Sequence, residues 1–304
     1  MWAATSATRG PGTTSSRDRR GIDKGFLKKV SPKFVMEAAA QLGISHATPA
    51  RTPGIKVTPK DSDDTEATIE DAKLYRSVVG KLLHVQEDYV DCTYVIKELS
   101  RHMAKPRVID IQALRHLVRY MLGITEDFQE MVPDHDQDCI VIYADSDWAG
   151  CKTTARSTDC VVALIYGAMV GFSSRTQTTI AQSSAEAELG AIHRGALAGV
   201  YIQNLWHEIT GELLKIRVFS GSAAGRAISQ RLGVGRVRHL QVRQLYVQSL
   251  VAAGRVTIEK VATEENVADL GTKILTRDVI DKHLVKLGIT RATTTSKTKK
   301  KGND

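Results

Sequence analysis

The second half of the chain alternates short apolar runs with longer helical patterns. The apolar runs are rich in β-branched residues and predict strands near residues 138–145, 158–166, 168–173, 214–220 and 255–262. Apolar positions at helical spacing predict helices near residues 183–210, 222–231, 238–253 and 264–272. This order favours an α/β protein in which a mixed sheet carries helices on its faces.

Two carboxylates fall at informative places in this pattern. The strand over residues 138–145 ends on Asp145, where a rigid sheet edge would present the side chain to a divalent cation. In the long helix, Ser183 and Glu186 have the spacing of a capping box, which gives Glu186 a structural role. Glu188, in the first turns of that helix, has no such capping role and is available to bind a cation. Trp148, which follows Asp145 by three positions, is expected to be buried.

The first half of the chain is organised differently. Residues 1–25 form a basic segment expected to be disordered, and residues 26–71 contain a helix followed by an acidic, Pro-containing linker. Residues 72–125 carry apolar stripes at helical spacing and are predicted to be helical. The same segment carries cations of an exposed type, and they are Arg101, Lys105, Arg107, Arg115 and Arg119.

Charge and cysteine content narrow the class of protein. The net charge of +8 arises at the two ends, because the first 34 residues carry 8 Lys and Arg against 2 acids and residues 291–304 carry 5 against 1. Such ends either bind phosphates nonspecifically or act as solvated tails. No apolar run has the length of a membrane span, so no membrane partner is expected. The 4 cysteines form no CxxC pair, which favours buried, reduced thiols and an intracellular location, cytoplasmic or nuclear.

Several stretches together carry a family resemblance. From Tyr75 to about Thr276 the chain resembles the end of the polyprotein of copia-type retrotransposons, where the last part of the reverse transcriptase precedes a ribonuclease H domain. The matching stretches are YRSVVGKLL (75–83), VDCTYVIKELSRHM (90–103), IQALRHLVRYMLG (111–123), YADSDWAG (143–150), RSTDCVVALIYG (156–167), SSRTQTTIAQSSAEAEL (173–189), RHLQVR (238–243) and EENVADLGTK (264–273).

The resemblance implies a fold and a division of the chain. The fold is a ribonuclease H-like mixed five-stranded sheet flanked by helices, spanning residues 136–275 and preceded by the small helical connection segment at 72–125. The resemblance implies that this segment touches nucleic acid, and a purely structural role is the alternative. Residues 26–71 would be a polymerase-end remnant and linker, and residues 276–304 a terminal helix and basic tail. Polymerase activity is not expected, because Tyr89–Cys92 keeps only one aspartate of the polymerase motif.

The resemblance also implies a site. Asp145, Glu188 and Asp269 would be metal-binding, catalytic carboxylates that hold Mg²⁺, with Mn²⁺ as a possible substitute, and hydrolyse the RNA strand of an RNA–DNA hybrid. The family places a further aspartate after the strand KIRVF, but this chain has Gly221 there. Two-metal hydrolysis depends on a full set of oxygen ligands. We therefore expect cleavage to be weak or absent.

The sequence is compatible with three functions. The first is a weakened RNA–DNA hybrid ribonuclease, and the second is a catalytically dead remnant that acts at most as a nucleic-acid-binding module. The third, an integrase or resolvase, is disfavoured because the helices before Asp145 fit a polymerase–nuclease junction. The chain is expected to be a fragment or decayed copy of a longer polyprotein. The sequence does not fix its oligomeric state.

Overall fold

The computed structural model describes residues 26–55, 65–134, 137–233 and 245–291. Residues 1–25 and the tail after residue 291, both predicted to be basic, lie outside the described residues. Within the described ranges, no helix is both long enough and apolar enough to cross a membrane. The 4 cysteines are free and buried, as their spacing predicted.

The first half of the described chain is mainly helical. Its elements are β1 (Phe26–Lys29), α1 (Lys33–Gln41), α2 (Ile69–Val85), α3 (Thr93–Ser100), α4 (Val108–Leu122) and β2 (Phe128–Met131). Thr68 begins α2, because its Oγ1 accepts a hydrogen bond from the backbone amide of Asp71 at 3.1 Å. The helices share an apolar core that includes Val78, Leu82 and Ile96. The helices predicted within residues 72–125 are therefore present.

The second half forms a mixed sheet with helices against it. Its elements are β3 (Cys139–Ser146), β4 (Thr158–Ile165), β5 (Ala168–Thr176), α5 (Ser184–Thr210), β6 (Lys215–Ser220), α6 (Ala223–Gln230), α7 (Tyr246–Ala252), β7 (Val256–Lys260), α8 (Arg277–Lys286) and β8 (Ile289–Thr290). In the described residues the sheet has five strands in the order β5-β4-β3-β6-β7. β3 pairs antiparallel with β4 and parallel with β6, so β3 lies at the centre.

The long helix α5 packs closely across the central strands. A Cβ atom at Gly199 would lie 2.6 Å from Cγ2 of Ile216, and one at Gly195 would lie 3.0 Å from Cγ2 of Ile142. Glycine at these positions lets the helix backbone approach β3 and β6. The packing buries Ile142, Ile192 and Ile216 in one core and fixes the direction of the first turns of α5.

The five predicted strands agree with the structure within a few residues, but one predicted helix differs. Residues 264–272 are not one helix; they form two short 3₁₀ turns, Thr263–Glu265 and Val267–Gly271. Asn266 separates the turns, because its side chain accepts from the amide of Ala268 and donates to the carbonyl of Ala144 in β3. The predicted helix 238–253 is described only from residue 245 onward, and α7 begins at Tyr246.

A second sheet was not predicted. In the described residues it has the order β1-β2-β8, and all its pairs are antiparallel. Its strands have 4, 4 and 2 residues, which is too short for a recognisable alternation of apolar and polar positions. It joins the beginning of the described chain to its end.

Arg291 connects this small sheet to the helical half. Its guanidinium forms ion pairs with Asp91 at 3.0 Å, Asp127 at 2.8 Å and Asp281 at 3.1 Å, and it also donates to the hydroxyl of Tyr120. Asp91 is buried, so its charge needs this partner. The arginine therefore ties the segment after β8 to the helical core.

We predict that Arg291→Ala lowers the free energy of unfolding by about 3 kcal/mol, because Asp91 would lose its guanidinium partner in a buried position. Urea denaturation followed by circular dichroism measures the effect. Arg277→Ala is the matched control, since Arg277 forms an exposed i,i+4 pair with Asp281, worth less than about 1 kcal/mol. Equal losses in the two variants would contradict the proposed role of Arg291.

Candidate active site

Asp145 occupies the position that the sequence predicts, near the carboxyl end of the central strand β3. It lies opposite Cys160 of β4 in the antiparallel register. Thr272 donates from Oγ1 to Oδ2 of Asp145 at 2.6 Å, which fixes the orientation of the carboxylate. The side chain is therefore held both by the sheet and by a hydroxyl from the turn at the end of the domain.

Glu188 reaches the same region from the first turns of α5. Ser183 begins the helix by accepting from the amide of Glu186 at 3.2 Å, and Glu186 accepts from the amide of Gln182 at 2.8 Å. The predicted structural role of Glu186 is thus present, with Gln182 as the amide donor. Glu188 is different: its Oε2 is buried and accepts no hydrogen bond from the described residues.

Asp269 lies in the second 3₁₀ turn and is buried. Lys273 pairs with its Oδ2 at 2.8 Å, four residues further along the chain. Sequence reasoning missed both Thr272 and Lys273, although the i,i+4 spacing of Asp269 and Lys273 was a visible signal. The two residues after this turn therefore supply a hydroxyl and an ammonium to the acidic cluster.

The three carboxylates are close enough to alter one another's ionisation. Burial, together with the negative charges of Asp145 and Asp269, raises the pKa of Glu188 to about 8, although Lys273 opposes the shift. Burial and the neighbouring Asp145 also raise the pKa of Asp269. The structure thus brings together the three residues that the sequence singled out, and their mutual repulsion is only partly offset by Lys273.

Gly221 lies beside this cluster. The parallel register pairs Ala144 with Ser220, so the next residues, Asp145 and Gly221, are neighbours at the carboxyl ends of β3 and β6. A Cβ atom at Gly221 would meet no atom within 4 Å. The backbone there has room for a Cβ atom, and the chain supplies no carboxylate at this position.

The serines on either side of Gly221 already have other partners. Ser220 accepts from the amide of Ser222 at 3.2 Å, and Ser222 begins α6 by accepting from the amide of Gly225 at 3.0 Å. Neither hydroxyl substitutes for the missing charge, because both satisfy backbone donors.

The acidic cluster has the right donor type for magnesium, since carboxylate oxygens are its preferred ligands and Glu188 has a buried oxygen without a partner. As the side chains stand, however, no group of three or more His, Cys, Asp or Glu residues in the described ranges is placed to hold a metal ion. The cluster is therefore an incomplete set of ligands, with Lys273 in contact with one of them.

One prediction was wrong for the loop after β3, and it concerns the burial of its tryptophan. Trp148 was expected to be buried, but it is 56% exposed. Its indole Nε1 donates to the carbonyl of Ala181 at 3.1 Å, which satisfies the polar edge of the ring and leaves part of its apolar surface in solvent. An exposed tryptophan therefore stands in the loop that follows Asp145.

Two cations of the helical segment have structural partners. Arg115 donates to the carbonyl of Leu42 at 3.0 Å, and Arg119 donates to the carbonyl of Thr48 at 2.9 Å. Both guanidinium groups hold the segment after α1 against α4. These contacts favour a structural role for the two arginines over contact with nucleic acid.

The arrangement defines a class of protein. A five-stranded mixed sheet in the order β5-β4-β3-β6-β7, with α5 packed across its centre and acids at the end of β3, is the ribonuclease H-like fold that the sequence predicted. No family model matches the chain.

The relatives of the chain are more specific. It is 25% identical over 261 residues to the retrovirus-related Pol polyprotein from transposon RE1 of Arabidopsis thaliana, covering 85% of this chain and 18% of that protein. It is 22% identical over 253 residues to the corresponding polyprotein from transposon TNT 1-94 of Nicotiana tabacum, covering 81% of this chain and 19% of that protein. These relatives are Pol polyproteins of copia-type transposons, and the chain spans less than a fifth of their length.

Solved structures similar to the chain include two ribonucleases H. The RNase H1 from Halobacterium salinarum has a TM-score of 0.34 at 14% identity and covers 47% of this chain and 98% of that one. The LC11-RNase H1 in complex with an RNA/DNA hybrid has a TM-score of 0.31 at 19% identity and covers 48% of this chain and 99% of that one. The assignment of the fold rests on the strand order of this chain.

We predict that Glu188→Gln stabilises the metal-free protein at high pH. Because the folded pKa of Glu188 is raised from 4.5 to about 8, the folded state holds its proton more tightly, and stability falls as the pH rises through this window. Removing the charge should add on the order of 2–4 kcal/mol at pH 9 and little at pH 4. Urea denaturation in EDTA at the two pH values measures this.

The control for this prediction is Glu186→Gln. This variant keeps an acceptor oxygen for the amide of Gln182 and should not reproduce the gain in stability at pH 9 that is expected for Glu188→Gln. A gain for Glu188→Gln that does not depend on pH would show that burial and the neighbouring charges do not disfavour ionisation of Glu188.

Proposed function

We propose that the second half of the chain is a ribonuclease H-like domain that binds RNA–DNA hybrids and hydrolyses the RNA strand slowly. The observation that carries this proposal is the convergence of Asp145, Glu188 and Asp269 at the carboxyl end of β3. The homology to Pol polyproteins of copia-type transposons supports the same function.

The residues of the chain have separate roles in this proposal. Asp145, Glu188 and Asp269 would hold magnesium, which when bound would activate water and stabilise the leaving oxygen. Thr272 keeps Asp145 oriented toward the site, and the buried Oε2 of Glu188 has no competing donor in the described chain. Lys273 neutralises part of the repulsion and must release Asp269 if that carboxylate is to bind an ion.

Gly221 limits this chemistry. A glycine contributes no negative charge, and the neighbouring serine hydroxyls are occupied by backbone amides. Three carboxylates beside an ammonium balance less positive charge than a pair of divalent ions carries. The site should therefore bind ions weakly and turn over slowly.

A second candidate function is hybrid binding without hydrolysis. It is favoured by the glycine at position 221 and by the ion pair between Lys273 and Asp269, which occupies one of the three carboxylates. Under this alternative the fold and its nucleic-acid surface persist, while the acidic cluster has no catalytic role.

We predict that Gly221→Asp raises the rate of hybrid cleavage by at least tenfold, a change of about 1.4 kcal/mol in activation free energy. A Cβ atom at position 221 would meet no other atom within 4 Å, so the substitution should not strain the backbone. Cleavage of a labelled RNA–DNA hybrid in Mg²⁺ or Mn²⁺ gives the rate. Gly221→Asn is the matched control, because asparagine has the same size without the charge and should not increase the rate.

Asp145→Asn completes the test and should abolish any cleavage by the unmodified chain. Rapid cleavage by the unmodified chain, with no gain in Gly221→Asp, would show that a further carboxylate is unnecessary. Hybrid binding without cleavage in the unmodified chain and in Gly221→Asp would favour the second candidate function.

A further inference from the structure

The loop between β3 and β4, residues 147–157, has a fixed conformation beside the acidic cluster. Oδ1 of Asp147 accepts from the amide of Thr158 at 2.5 Å, and the amide of Ala149 donates to Oγ of Ser157 at 3.0 Å. A Cβ atom at Gly150 would lie 2.0 Å from Oδ2 of Asp147, so only glycine lets the backbone fold so closely over this carboxylate. Asp147 therefore serves to shape the loop.

Helix α3 supports the same loop from the helical half of the chain. Lys97 donates from Nζ to Oγ1 of Thr158 at 2.7 Å. The guanidinium of Arg101 contacts Sγ of Cys151, a buried thiol inside the loop. The loop is thus anchored to its own strands and to α3, which holds its exposed side chains in place.

Trp148 projects from this anchored loop. Its hydrogen bond to the carbonyl of Ala181 places the indole against the segment that leads into α5, the helix that carries Glu188. The neighbouring residue Ile180 is 57% exposed, so two large apolar side chains stand in solvent on the two loops that flank the acids. An apolar surface that is fixed in position but does not contribute to the core is typical of a contact site.

The charge around Trp148 indicates the chemistry of the occupant. Lys152 and Arg156 lie in the same loop and are exposed. Neither forms an ion pair with any described residue. An exposed aromatic ring and two exposed cations in one loop suit a nucleic-acid strand, because bases and sugars pack on the ring while phosphates bind the cations.

We propose that Trp148, together with Ile180, packs against a base or sugar of the nucleic-acid strand that enters the acidic cluster, and that Lys152 and Arg156 bind its phosphates. This inference rests on the proposed function and adds the residue that positions the strand. Trp148 acts through binding and takes no part in the chemistry.

The test measures hybrid affinity without cleavage. A short fluorescein-labelled RNA–DNA hybrid is titrated with the full chain in EDTA, and fluorescence anisotropy gives the dissociation constant. Trp148→Ala should weaken binding about fivefold to tenfold, as expected for loss of one stacking contact. Trp148→Phe keeps an aromatic face and should remain within twofold of the unmodified chain.

Tyr201→Ala is the matched control. Tyr201 is 64% exposed on α5 but lies 13 residues beyond Glu188, about 20 Å along the helix. This variant should bind the hybrid as the unmodified chain does. Circular dichroism and thermal melting of each variant separate loss of contact from loss of fold.

The outcomes distinguish this inference from the function on which it rests. If the unmodified chain does not bind the hybrid, the proposed function fails and the role of Trp148 fails with it. If the unmodified chain binds but Trp148→Ala binds within twofold, only the role of Trp148 is overturned. A change in sedimentation for Trp148→Ala without a change in affinity would assign this surface to contact between copies of the chain, and would also overturn the inference.

Discussion

The close approach of three carboxylates at the end of β3 is the constraint on which the organisation of the domain depends. Their charges repel one another in a partly buried position, so metal-free folding proceeds against this repulsion. The ion pair between Lys273 and Asp269 and the hydroxyl of Thr272 offset part of it. The central placement of β3 and the glycines that bring α5 against the sheet supply the packing that holds Asp145 and Glu188 together.

The helical half of the chain supports the second half through polar contacts that lie away from the three carboxylates. Arg291 joins the end of the described chain to the buried Asp91 and to Asp127 through ion pairs. On another surface, Lys97 of α3 holds the loop that begins directly after β3. Helix α3 thus supports the loop after β3 through Lys97 and Arg101.

Sequence reasoning succeeded where the signal was local and strong. The strand near Asp145 and the capped start of α5 follow from an apolar, β-branched run and from capping residues, and the structure contains both elements. It failed where tertiary contacts decide the outcome. Asn266 splits the predicted helix at 264–272 because its side chain bonds to β3, a contact that no local pattern reveals. The exposure of Trp148 depends on a hydrogen bond to a residue 33 positions away, and the charge balance at Lys273 depends on three separate segments.

The most direct test of this account is the binding of Mn²⁺ followed by electron paramagnetic resonance, which needs no substrate and no turnover. The central claim is that the carboxylates of Asp145, Glu188 and Asp269 bind a divalent cation at one site. It predicts weak but measurable Mn²⁺ binding by the unmodified chain and loss of that binding in Asp145→Asn. Mn²⁺ binding that is the same in the two proteins would show that the ion binds elsewhere, and would contradict the assignment of the acidic cluster as the site.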